Sequence, residues 1–125
     1  MLLESLLGFL DAQRVGYATL TGLGALRRAT VSYWNASTRE YEAHDIDEQV
    51  ELVSLIGNVT IKDGKPFVHA HVTLGRSDLS ILGGHFNEAV VHPNVEIWVR
   101  PEADTVLRTL DEGSGLHLMQ LPERL

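Results

Sequence analysis

Three histidines fall within the stretch HAHVTLGRSDLSILGGH, residues 69 to 85. His69 and His71 are separated by one residue, and His85 follows the pair Gly83-Gly84. On a strand, His69 and His71 share one face with Phe67 and Thr73, while Val68, Ala70, Val72 and Leu74 take the other. The two imidazoles then stand about 6.5–7 Å apart at Cα. From that spacing both rings reach a single ion at about 2.0–2.1 Å. The opposite face is apolar and is expected to pack into the core. Thirteen residues separate His71 from His85, enough for a strand end, a turn and a return strand. An antiparallel return sets His85 beside the pair, and Gly83-Gly84 permits a close approach there. Three histidines plus water leave an open coordination position, as in catalytic zinc sites. Two exposed histidines on an edge strand give the same His-x-His pattern, so spacing leaves both readings open.

Other residues add less. The chain has no cysteine, which excludes disulfides, thiolate nucleophiles and cysteine-ligated clusters. Any metal site must use imidazole, carboxylate, carbonyl or water, which suits zinc and other imidazole-binding first-row ions. The cupin pattern also opens with His-x-His but needs a glutamate soon after, where this chain has Leu74, Gly75 and Arg76. His44, His92 and His117 fall in an acidic strand, before Pro93 and in a last strand, and read as exposed or structural. Glu88 faces opposite His85 on a regular strand, whereas Asn87 shares the face of His85. Glu96 and Arg100 share a strand face and read as an ordinary ion pair. Gly22-Leu23-Gly24 lacks the third glycine of a dinucleotide fingerprint. No nucleophile or general base stands out.

The elements that must position these residues come from periodicity. Leu2, Leu3, Leu6, Leu7 and Leu10 mark one face of a helix over residues 2–14, stopped near Gly16. YATL reads as a short strand and GLG as a turn or close-approach segment. Strands follow over ALRRATVSYW, YEAHDI at an edge, ELVSLIGNVTIK, FVHAHVTL, ILGGHFNEAVV and VEIWVR. KDGKP, RSDLS and HPN read as turns between them, and TVLRTL and LHLMQL as two last short strands around DEGSG. The fold class is α/β (α+β): a mostly antiparallel sheet flanked by one or two helices.

With 125 residues the chain fits a single domain, 1–125. A formal charge of −7 with scattered basic residues disfavours a nucleic-acid partner. No run of apolar residues is long enough to span a membrane, and MLLESLLGFL lacks the basic start of a signal peptide, so a cytoplasmic location is expected.

GLGALRRATVSYWN, LVSLIGNVTIKDGKPFVHAHVTLG and LGGHF together resemble the PPC (also PCC) domain, or domain of unknown function 296, from about Leu3 to Leu118. The resemblance implies a sheet flanked by helices, similar in fold to acetolactate decarboxylase, and a homotrimer. It also implies zinc or another divalent transition metal held by His69, His71 and His85, with a small-molecule ligand at the metal. Plant members carry AT-hooks that bind DNA; no Arg-Gly-Arg-Pro core occurs here, so that role does not carry over. Family members usually have a strand ahead of the first helix, whereas this sequence opens in the helix, so either the sheet is expected to be one strand short or the start is expected to be late. Three functions follow: a metal-dependent small-molecule protein, a trimeric regulatory module without catalysis, or a DNA-associated protein.

Overall fold

The structure, a computed structural model, describes residues 1–121. One helix, α1 (Leu2–Ala12), precedes seven strands: β1 (Ala18–Asn35), β2 (Glu40–Ile46), β3 (Val50–Lys62), β4 (Lys65–Gly75), β5 (Ile81–Pro101), β6 (Arg108–Leu110) and β7 (His117–Met119). The main sheet runs β2-β1-β3-β4-β5 and is antiparallel throughout. It also closes on itself, because β5 pairs with β4 through its first residues and with β1 along the rest. β6 and β7 form a small separate ribbon, tied to β3 by an Ile61–Leu107 bridge.

Periodicity located the helix, which ends two residues before the expected limit, with Arg14 at φ 54 just beyond it. Leu2, Leu6 and Leu10, spaced by four, bury one face of α1 against β4 and β5. The helix buries Leu10 fully, worth about 1.5–3 kcal/mol. Glu88 fixes the start of the helix: its carboxylate accepts from the backbone N–H of Leu3 at 2.7 Å and of Glu4 at 3.4 Å. Those N–H groups have no partner within the helix, and the dipole favours a negative charge there.

The structure corrects the extent of two strands. YATL, GLG and ALRRATVSYW form the single strand β1, and ILGGHFNEAVV, HPN and VEIWVR form the single strand β5. HPN, read as a turn, is a bulge, and GLG, read as a turn or close-approach segment, is a close approach within β1. Gly24 pairs with Val95 and Leu26 with Val91, so His92, Pro93 and Asn94 bulge out of β5 opposite Ala25. Gly24 has φ 148, and a Cβ there would collide with the Asn94 carbonyl. Glycine is needed at that point because β1 must run close past the bulge, not because the chain turns.

Two hairpins set the register of the histidine strands. Asp63 and Gly64 both have positive φ, 52° and 76°, as a two-residue type I′ turn requires. That turn pairs Lys62 with Lys65 and therefore Asn58 with His69 and Ile56 with His71. Beyond β4, the Asp78 carboxylate accepts from the N–H and hydroxyl of Ser80, and Arg76 N–H donates to the Ser80 carbonyl at 2.9 Å. This turn pairs Gly75 with Ile81 and therefore His71 with His85.

Gly83→Ala is expected to destabilise the protein by about 2–4 kcal/mol, because its Cβ would collide with the Val72 carbonyl of the paired strand. Gly8→Ala, with open space around it in the helix, is expected to add about 0.5–1 kcal/mol. Urea unfolding midpoints of the two variants test both signs.

Candidate metal centre

His69 and His71 lie two residues apart on β4, and His85 lies on β5 directly across from His71. The other face of β4 buries Ala70, Val72 and Leu74, so the core fixes the strand and the imidazoles take its outer side. The three rings form a near-equilateral triangle, with centroids 5.4 Å (His69–His71), 5.2 Å (His69–His85) and 5.6 Å (His71–His85) apart. Each offers one ring nitrogen, and those three atoms lie within 4.8 Å of one another. His69 and His85 are half-buried and His71 is exposed. Tyr41 of β2 covers His85 from the other side, ring centroids 4.6 Å apart.

The electrostatics favour neutral imidazoles. Burial, then the neighbouring His69 and His71, lowers the pKa of His85 to about 4. Burial, the Arg108 guanidinium and His71 lower that of His69. A metal must compete with protons for these nitrogens, so lowered basicity keeps them free near neutrality. Nδ1 of His85 is buried with no hydrogen-bond partner, an uncommon and costly state for a polar atom. The residues therefore fit a transition metal: three converging imidazole donors, two of them with lowered basicity, and one buried ring nitrogen with no partner among the described residues.

Arg108 of β6 stands beside His69. Its Nε donates to Thr60 Oγ1 (2.8 Å), its Nη1 to the His117 carbonyl (2.9 Å) and its Nη2 to Asn58 Oδ1 (3.0 Å); Nη2 is also 3.5 Å from Nδ1 of His69. Sequence reasoning missed Arg108, Lys62 and Tyr41. Only the alternation of β3, which puts Lys62 near a strand end, left any trace of them. His117, read as structural, contributes its carbonyl to Arg108 and lines the same cavity. His44 and His92 are exposed on β2 and β5, away from the cluster. Glu88 caps the helix and is no ligand, while Asn87 sits at a β5 bulge and accepts from the Ser32 hydroxyl at 2.6 Å. Glu96 and Arg100 do not form the expected pair: among the described residues the one ion pair joins Arg76 to Glu48 at 3.0 Å.

The chain belongs to the Plants and Prokaryotes Conserved (PCC) domain family, which it matches over residues 1–101. β6 and β7 lie beyond that span. Among solved structures it is similar to a metal-containing protein of Archaeoglobus fulgidus, with 35% identity, TM-score 0.89, and 96% of this chain and 85% of that one covered. It is also similar to a plant- and prokaryote-conserved protein of Pyrococcus horikoshii, with 33% identity, TM-score 0.90 and coverage of 98% and 85%. A Bacteroides thetaiotaomicron protein named provisionally as DNA-binding shares 28% identity, with TM-score 0.92 and coverage of 95% and 83%. A search of curated proteins finds no match. No helix among the described residues is long and apolar enough to cross a membrane.

The lowered pKa of His85 gives the metal-free protein a specific acid response. The unfolded chain takes up this proton near pH 6.5, the folded chain only near 4. Acidification through that window favours the unfolded state, so stability falls from about pH 6.5 downward and this contribution levels off below about 4. Urea unfolding of metal-free protein at stepped pH is expected to show a shallower decline between about pH 6.5 and 5 in His85→Asn than in the unmodified chain.

Proposed function

We propose that this PCC-domain protein binds a divalent transition metal, zinc foremost, through His69, His71 and His85, and presents it to a small molecule. The convergence of three donor nitrogens within 4.8 Å carries the reading. The Archaeoglobus relative, described as metal-containing, supports it. Zinc accepts imidazole nitrogen readily, and three protein donors leave a tetrahedral ion one position short. When bound, such an ion polarises a substrate oxygen or activates water. The protein's own part is to hold the imidazoles neutral and in place. His69 and His85 line a cavity of about 200 Å³ that opens beside the cluster.

Self-association as a homotrimer is part of the same proposal. Trp98 pairs with Thr21, Thr21 with Ile56, and Ile56 with His71, so these residues form one row across the sheet. Ile56 is 67% exposed and Trp98 46% exposed in the single chain. An apolar row of this kind beside the histidines suits burial against further copies. A DNA-associated role, which the name of the Bacteroides relative raises, meets a chain charge of −7. That charge opposes binding to phosphate.

Elemental analysis of untagged protein is expected to find close to one equivalent of metal per chain. His71→Ala, at an exposed position, is expected to keep the fold and lose the metal. Protein that stays metal-free after incubation with zinc contradicts the proposal. Light scattering is expected to give three times the chain mass of 13.8 kDa, falling toward one in Ile56→Glu. An unchanged mass in that variant contradicts the assigned surface.

A further inference from the structure

The cavity beside the histidines carries positive charge that no described residue compensates. Arg108 and Lys62 both line it, as do Phe67, His69 and His85. The Arg108 guanidinium lies 5.2 Å and the Lys62 ammonium 5.4 Å from the centre of the Phe67 ring, so one ring holds both cations at the cavity wall. The hydrogen-bond partners of Arg108 in the protein are uncharged: a hydroxyl, an amide oxygen, a carbonyl and the His69 ring. Among the described residues no carboxylate lines the cavity, and neither cation takes part in the one ion pair. This is not for lack of acids, since the chain has 17 acidic and 10 basic residues. Arg108 is 9% exposed, and a buried charge without a counterion is costly. The bonds to Thr60, Asn58 and the His117 carbonyl fix the guanidinium before any ligand arrives.

We infer that this cavity receives a small oxyanion-bearing molecule, a carboxylate or a phosphate. Its negative group faces Lys62 and Arg108, and its remainder faces His69 and His85. The inference deepens the metal-site reading and rests on it for that orientation. The 200 Å³ cavity suits a small organic acid; drug-sized ligands occupy about 300–1,000 Å³. Arg108 supplies mainly field, because most of its N–H groups already have acceptors. Lys62, with its ammonium on an aromatic face and no acceptor among the described residues, supplies the free donors.

Isothermal titration with malonate, its neutral counterpart malonamide and inorganic phosphate tests the inference on metal-loaded and metal-free protein. Either malonate or phosphate is expected to bind, at least tenfold more tightly than malonamide, and the tighter of the two identifies the headgroup. Lys62→Met is expected to weaken that anion at least tenfold with metal content unchanged. Arg108→Lys, which keeps the charge but loses the fork, is expected to weaken it less than Arg108→Gln, with folding of each checked by circular dichroism. Absence of anion binding, equal affinity for malonamide, or an affinity unchanged in Lys62→Met overturns the inference. Failure of the metal reading alone shows separately: the protein takes up no metal, while the Lys62-dependent anion affinity persists in the metal-free state.

Discussion

His71 and His85 face each other because two short turns hold three strands in fixed register. The Asp63-Gly64 turn sets β4 against β3, and the Arg76–Ser80 turn sets β5 against β4. Side chains alternate between the faces of a strand, so a slip of one residue would carry His69 and His71 into the core and Ala70 and Val72 out of it. Burial of Ala70, Val72 and Leu74 makes that slip costly. The apolar face of β4 thus holds the polar face in place, and the geometry of the histidines follows from hydrophobic packing behind them.

A second consequence concerns charge. His69 and His85 resist protonation, because a charge on a neighbouring imidazole raises the cost of the next. Partial burial works in the same direction, and the Arg108 guanidinium adds to it at His69. His69 and His85 are therefore neutral nitrogen donors next to two cations. A metal ion satisfies the nitrogens, and an anion offsets both the cations and the ion. The protein leaves these two needs side by side, on the outer face of a closed sheet.

The parts of this arrangement that depend on local pattern were legible in the sequence. Alternation alone placed His69 and His71 on one face, the Asp-Gly pair marked the hairpin, and the leucine spacing marked the helix. His85 was legible only as a candidate, because thirteen intervening residues allow many returns. The turn at Asp78 and Ser80 selects one of them. HPN was misread as a turn because a bulge and a turn use the same residues, whereas GLG is the close-approach segment that the sequence allowed. What distinguishes them is the strand on the other side: the HPN bulge lies opposite Ala25, and its Asn94 carbonyl passes close to Gly24. Arg108 left no local signal. It reaches His69 across 39 residues of chain, through a ribbon docked on β3. The Glu96–Arg100 pair failed for the converse reason, since a shared strand face brings residues near one another without making a salt bridge preferable to water.

The central claim is that His69, His71 and His85 share one ion. X-ray absorption at the metal edge of the zinc-loaded protein tests it most directly, with His85→Ala measured alongside. Three imidazole nitrogens at about 2.0–2.1 Å, with one fewer imidazole in the variant, are the expected result. A spectrum with fewer than three imidazoles, or one that His85→Ala leaves unchanged, would contradict it.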